Sequence, residues 1–223
     1  MQAGCTSNLI SPLKRQISFG SLSSVLSDRA GFPLFFRTVA PDSSHNAARV
    51  AFLRRYRWDT VATLHEDDEL YALAINELLT QLESAHIAVS SSESVTRNDF
   101  LEQIQELKNT DSRIIIGSFS RHMARKIFCE VYKQGMYGAD FQWIVQGGLG
   151  EWWLDPSGTD CLAGQLRAAA ENIITVAAYT GSLPNRASVS GLVRTRCVGD
   201  RLCLGPPRRR SRVRSRLRQS HFD

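Results

Sequence analysis

The sequence predicts an α/β protein whose parallel sheets are flanked by helices, and three observations predict it. The run FFRTVAPDSSHNAARVAFLRRYRWDTVATL, residues 35–64, reads as a strand, a helix and a second strand joined by short loops, which is the grammar of a parallel sheet. The strand-to-helix alternation then recurs four times before residue 180. Within it, Arg113–Gly117 is apolar almost throughout, as suits a strand covered on both faces.

The elements follow in order. Residues 1–16 offer at most a short helix before the strand-like Ile17-Ser18-Phe19. Phe35–Val39 has strand composition and stops at the turn-forming Ala40-Pro41-Asp42-Ser43. Ser43 or Ser44 is expected to cap a helix whose apolar residues fall at Ala47, Val50, Ala51, Leu53 and Tyr56, and Thr60–Leu64 restarts a strand. Glu69–Ser84 is helical, with Leu70, Ala74, Leu78 and Leu82 on one stripe widened by Leu73, Ile75 and Leu79. Ile87–Ser90 reads as a short strand, and Asn98 or Asp99 caps a helix carrying Leu101, Ile104 and Leu107. After the Arg113–Gly117 strand, Ser120–Lys133 is the cleanest helix, with Met123, Ala124, Ile127, Phe128 and Val131 at three- and four-residue spacing. Phe141–Val145 and Ile173–Ala178 complete the strands, with a helix over Ala163–Ala170 between them. From Thr180 onward the apolar periodicity stops.

At 223 residues the chain has room for one large α/β domain or two small ones. Its net charge of +5 divides unevenly: residues 181–223 carry +9, while the first 180 carry −4. The basic end puts seven Arg within residues 208–218, where self-repulsion and Pro keep the backbone open. No stretch approaches the run of eighteen or more apolar residues that spans a membrane, and MQAGCTSNLISPLKRQ lacks the apolar core of a signal peptide. Neither a leader nor an anchor is therefore expected in the chain as written.

The candidate chemistry is sparse. Five cysteines, Cys5, Cys129, Cys161, Cys197 and Cys203, form no CxxC and have no histidine at metal-ligand spacing, which argues against zinc. Cys129 and Cys161 are open to two readings, a disulfide or two free thiols. Gly20-Ser21-Leu22-Ser23-Ser24 follows a strand and reads either as an ordinary serine-rich loop or as a backbone cradle for a phosphate or carboxylate. Gly117-Ser118-Phe119-Ser120 sits where a strand hands over to a helix, the usual crevice of open α/β sheets, although capping alone accounts for its serines. Glu66-Asp67-Asp68-Glu69 reads as a solvated loop feeding negative charge to the next helix rather than as a cation site. The five histidines have no Ser or Cys at suggestive spacing, so no hydrolase triad, and no enzyme, is supported. Trp152-Trp153 reads as one core residue beside one that could line a cleft. The arginine-rich end could bind nucleic acid by charge alone, but it lacks interleaved aromatics to stack on bases.

Longer motifs carry a resemblance. GFPLFFRTVAPDSSHNAARVAFLRRYRWDTVAT, the RIIIGSFS corner, ARKIFCEVYKQGMYGADFQWIV and the late WW resemble the extracellular ligand-binding domain of metabotropic GABA-B receptors, in an invertebrate subunit-2-like or subunit-3-like form. The likeness runs from about Ile17 to Tyr179. It implies a partial bilobed Venus flytrap of the periplasmic-binding-protein type (type I), in which agonist closes two α/β lobes. On that plan residues 1–40 end an incomplete first lobe, residues 41–179 form the second lobe and start the return crossover, and residues 180–223 are a disordered arginine-rich tail. The resemblance also pairs Cys129 with Cys161, and it implies no cofactor.

The departures from the family shape the functional expectation. Leu22 stands where the agonist-binding subunit has a serine for the ligand carboxylate, Val39 where it has histidine, Ser120 where it has tyrosine and Gly148 where it has tryptophan. A leucine cannot hydrogen-bond a carboxylate. Thr6 keeps a hydroxyl at a ligand-serine position, and with Ser21 and Ser23 of the serine-rich loop it is a candidate ligand contact. The expectation is a partner-type subunit that does not itself grip GABA. It would pair with an agonist-binding subunit and reach a G protein through a membrane domain outside this chain. A free-standing binding protein of the same fold, and nucleic-acid binding through the basic tail, are the alternatives.

Overall fold

The computed structural model describes residues 15–147 and 149–177, together with the backbone of two short strands at 193–196 and 202–205. Residues 1–178 and 179–223 form two separate units. The first begins with a two-stranded parallel sheet, β1 (Gln16–Ser18) and β2 (Phe35–Arg37), in which Ile17 lies opposite Phe36. The chain then passes through a 3-10 turn, Asp42–His45, into α1 (Asn46–Tyr56).

The main sheet has five parallel strands: β3 (Thr60–Glu66), β4 (Ala88–Val95), β5 (Ile114–Ser118), β6 (Gln142–Gln146) and β7 (Ile174–Val176), in spatial order β4-β3-β5-β6-β7. Between them run α2 (Glu69–Ser84), α3 (Phe100–Asn109), α4 (Arg121–Gln134) and α5 (Ala163–Ala170). The strands alternate their burden between two apolar clusters. Val61, Ile116 and Ile144 join Leu53, Ile75, Leu78 and Leu82 beneath α1 and α2. Ala62, Leu64, Ile115, Trp143 and Val145 join Ile104, Phe128, Trp152 and Leu166 beneath α3, α4 and α5. Strands with a helix layer on each face bury both side-chain sets, which is why RIIIG reads as a continuous apolar run. The result is the type I periplasmic-binding-protein-like arrangement of parallel sheets flanked by helices.

The elements match the sequence expectations with instructive exceptions. Helix α1 does not start on a serine cap; Pro41, at φ −63 and ψ 156, launches the 3-10 turn, and Asn46 opens the helix with its side chain donating to Ala74 O at 2.7 Å. Its buried face is Asn46, Arg49, Val50 and Leu53, while Ala47, Ala51 and Tyr56 face out, because the polar side chains of Asn46 and Arg49 are claimed by the packing against α2. Strand β4 runs for eight residues rather than four; its serine-rich stretch is an edge, largely exposed and without apolar alternation to announce it. Leu101 is exposed although its stripe partners Ile104 and Leu107 are fully buried.

In the second unit, β8 (Val193–Arg196) and β9 (Leu202–Gly205) pair antiparallel. This departs, at these two strands, from the expectation of an open chain over 180–223; a period-two alternation over a few residues carries no helical signal. Residues 206–223, with the arginine run, lie outside the described residues.

Candidate functional site

In a doubly wound sheet the ligand crevice lies beyond the carboxyl ends of the strands, where the strand order reverses. Here the order reverses between β3 and β5, so the chain itself nominates the end of β3 at Glu66 and the corner from β5 into α4 at Gly117–Ser120. Gly117 is required at that corner: a Cβ there would lie 2.5 Å from a ring carbon of Phe119. Phe119 is fully buried, and its N–H and C=O are both held by the Gln146 side-chain amide, at 2.9 and 2.6 Å. Ser120 is the N-cap of α4, its hydroxyl accepting from Met123 N–H at 3.2 Å. The backbone N–H of Ser120 donates in turn to Glu66 Oε2 at 2.7 Å, across 54 residues of sequence.

That link has an electrostatic reason. The first turn of α4 carries Arg121 and His122 and no acidic residue, so the partial positive charge of the helix start has no local counter-charge. Glu66 supplies it from the neighbouring strand. His122 shows the same positive field: burial and the nearby Lys126, Arg125 and Arg97 lower its pKa against the opposing pull of Glu66. On the other side of Glu66, Asp68 caps α2 by accepting from Leu70 N–H at 2.9 Å, as its place in the acidic run implies. Tyr71 is pushed up to about 12, chiefly by burial and then by Glu66, Asp68 and Asp42. Tyr71 therefore sits in a field of carboxylates.

The serine-rich loop singled out in the sequence is turned in on itself. The N–H groups of Gly20 and Ser21 donate to Ser18 Oγ at 3.3 and 3.0 Å, and the Ser21 hydroxyl lies 2.7 Å from the same oxygen. Arg37 reaches across to the carbonyls of Ser21 and Ser23, at 3.2 and 2.9 Å, and to the Ser27 hydroxyl. The Leu22 carbonyl accepts from Asp42 N–H at 3.0 Å, tying the loop to the crossing. Among the residues singled out in the sequence, Ser21 and Ser23 are thus brought together on Arg37, while Thr6 and Gly148 lie outside the described residues. The Arg37 latch and the Glu66–Ser120 bond are the two features sequence reading missed; the only signal for the second was a helix start that lacked an acid of its own.

Beneath the crossing lies a buried polar cluster. Arg49 is fully buried and donates to Asn46 Oδ1 at 2.8 Å; its Nε and Nη2, both His45 ring nitrogens and Asp42 Oδ2 have no hydrogen-bond partner, although His45 Nδ1 lies 3.8 Å from Asp42 Oδ1. Burial lowers the Arg49 pKa and Asp42 opposes that shift.

Cys129 of α4 and Cys161 are joined in a disulfide with their Cα atoms 5.7 Å apart. It pins the loop that precedes α5 to α4, beside the Lys133–Asp160 ion pair at 2.7 Å. The one grouping of metal-ligating side chains among the described residues is Cys129, Asp160 and Cys161, and the disulfide uses two of its three members. Trp152 is buried against Phe128 at a centroid distance of 4.8 Å, and Trp153 is half-buried, as the sequence led one to expect. Among the described residues no helix is long and apolar enough to cross a membrane.

A five-stranded parallel sheet flanked by helices, with its strand order reversing between β3 and β5, is the arrangement of the type I periplasmic-binding-protein-like class. The receptor family ligand binding region matches residues 13–205. Gamma-aminobutyric acid type B receptor subunit 2 of Homo sapiens is 37% identical over 72% of this chain, subunit 1 of Mus musculus 32% over 79%, and subunit 2 of Caenorhabditis elegans 32% over 65%. The chain belongs to the receptor ligand-binding-region family, as a segment of the GABA-B receptor type. It spans 18% of the length of each of these three relatives.

Proposed function

We propose that this segment serves a G protein-coupled receptor subunit of the partner kind, which does not itself grip GABA and works beside an agonist-binding subunit. The observation that carries this reading is which side chains stand at the positions where the family resemblance expects ligand contacts. Leu22 and Val39 offer no hydrogen bond to a ligand, and Ser120 is short and committed to capping α4. The serine-loop N–H groups of Gly20 and Ser21 are spent on Ser18. Thr6, Ser21 and Ser23 are the candidate hydroxyl contacts for a small ligand, with the Ser21 hydroxyl shared with Ser18. The parent receptor would present this region on the extracellular side of the plasma membrane, with the G protein engaged through a membrane domain beyond the segment. Isothermal titration of a lobe-complete version with GABA tests the assignment: no binding heat is expected without the partner subunit, and tight binding by the isolated region would contradict it.

A further inference from the structure

We propose that Asp42 and Arg49 form a charge switch in the crossing into α1: the Asp42 carboxylate has two seats, one beside His45 and one on the unpartnered Nε–Nη2 edge of Arg49, and the second seat ties the serine-rich loop to α1. The switch goes beyond the partner-subunit reading and does not depend on it.

Three observations lead to it. First, Arg49 is fully buried, and only its Nη1 has a hydrogen bond, to Asn46 Oδ1 at 2.8 Å. Its Nε and Nη2 have no partner, and together they are the edge of a guanidinium that takes a carboxylate through two parallel bonds. A buried cation without a counter-charge is costly. Second, the matching acceptor stands close by. Asp42 Oδ2 is buried and unpartnered, and Oδ1 lies 3.8 Å from His45 Nδ1, beyond hydrogen-bond range. Asp42 is near enough to Arg49 to oppose the effect of burial on the guanidinium. The Arg49 side chain runs back toward the start of its helix, as helical side chains do, which brings its head to Asn46, next to the 3-10 turn that carries Asp42 and His45. The change of seat is then a rotation of the Asp42 side chain. Third, both ends of this pair are tied to other elements. Asp42 N–H donates to Leu22 O at 3.0 Å, and the Asn46 side chain donates to Ala74 O of α2 at 2.7 Å. With Asp42 seated on Arg49, one polar chain runs from the serine-rich loop through Asp42, Arg49 and Asn46 to α2; with Asp42 beside His45, it is broken in the middle.

The test uses the full chain, isotope-labelled, and follows solvent-exchange protection of the Arg49 Nε–H and of the backbone amide at position 42. The Arg49 Nε–H resonance is assigned by its loss in Arg49→Met. Asp42→Asn keeps the shape and removes the charge, and it is expected to lower protection of the Arg49 Nε–H about tenfold or more, in line with the loss of a charged hydrogen bond. His45→Ala removes the competing seat and is expected to raise that protection. Asp42→Asn and Arg49→Met should each lower amide protection at position 42, and the double variant should fall no further than either, since both act through one contact. Arg49 Nε–H protection unchanged by Asp42→Asn would overturn the proposal, because water or another group would then fill that edge. Lowered protection in His45→Ala would overturn the two seats, and additive losses at position 42 would overturn the tie to the loop. Where Arg49→Met fails to fold, the isosteric Asp42→Asn and the part-exposed His45→Ala still decide the matter, the resonance then being assigned in wild type by its couplings along the Arg49 side chain.

Discussion

The main sheet and the short β1–β2 sheet share one chain and one strand-helix grammar, yet they end in opposite physical states. In the main sheet Ile115, Ile116 and Ile144 are 0% exposed, shielded by helices on both faces. In the short sheet Phe35 is buried at 5%, but Ile17 is 78% and Phe36 48% exposed, and Phe19, just past β1, is 88% exposed. Composition does not separate them, since QISF and LFFR are as strand-like as RIIIG. What separates them is whether a second layer arrives to cover the face. Full burial of a large apolar side chain is worth about 1.5–3 kcal/mol; in the short sheet Phe35 gains it and Ile17 and Phe36 do not. The loop contacts differ in the same way: the β5–α4 corner is packed on the main sheet, while the serine-rich loop is held by Arg37 and by hydrogen bonds to Ser18.

The sharpest way to break the comparison is to remove core from each side. Ile115→Ala is expected to lose about 2–5 kcal/mol by chemical denaturation, whereas Phe19→Ser should change stability by less than about 0.5 kcal/mol and raise solubility. Equal losses would show that the β1–β2 edge is as integral as the main sheet. Next in size is the disulfide. Replacing Cys129 and Cys161 together by alanine opens a loop with a sequence separation of 32 residues, and a chain-entropy estimate gives a loss of roughly 3–4 kcal/mol; the shift of the denaturation midpoint against wild type measures it. Gly117→Ala forces a methyl group against the Phe119 ring and should lose about 1–3 kcal/mol, with disturbance centred on the crevice corner rather than on β1 or β2.

A further effect is one of pH, confined to the alkaline limb. The Tyr71 phenol is raised from its ordinary value to about 12 in the folded state, first by burial and then by Glu66, Asp68 and Asp42. A raised value means the folded chain holds the proton after the unfolded chain has lost it. The associated stability is therefore complete below pH 10 and is lost as pH climbs from about 10 to about 12. Tyr71→Phe should flatten that alkaline limb, which thermal melts between those limits would show.

Much of the frame was legible in the residues, and the gaps have physical causes. Helices α2 and α5 match the expected bounds to the residue, α2 because its wide apolar stripe is bounded by Glu69 and Ser84. Strand β4 was undercounted because an edge strand need not be apolar, and AVSSSESV is held by pairing to β3. The start of α1 was misplaced because Pro41 and the buried Asn46 and Arg49 outweighed the local capping preference of the serines. At the site, the Ser120 cap was readable from its neighbours, being local. The Glu66–Ser120 bond and the Arg37 latch join residues 54 and 14–16 apart, and no spacing rule reports contacts that depend on which strands lie side by side. The Cys129–Cys161 pairing came from family resemblance and not from spacing.

Native-state hydrogen exchange on the full chain tests the central contrast most directly. The amides of Val61, Ile115, Ile116 and Ile144 are expected to exchange only through global unfolding, with protection falling together on adding denaturant, while Ile17 and Phe36 exchange through local opening at a much lower free energy. Protection of β1 and β2 equal to that of the main sheet would contradict the account of a finished lobe beside an uncovered edge.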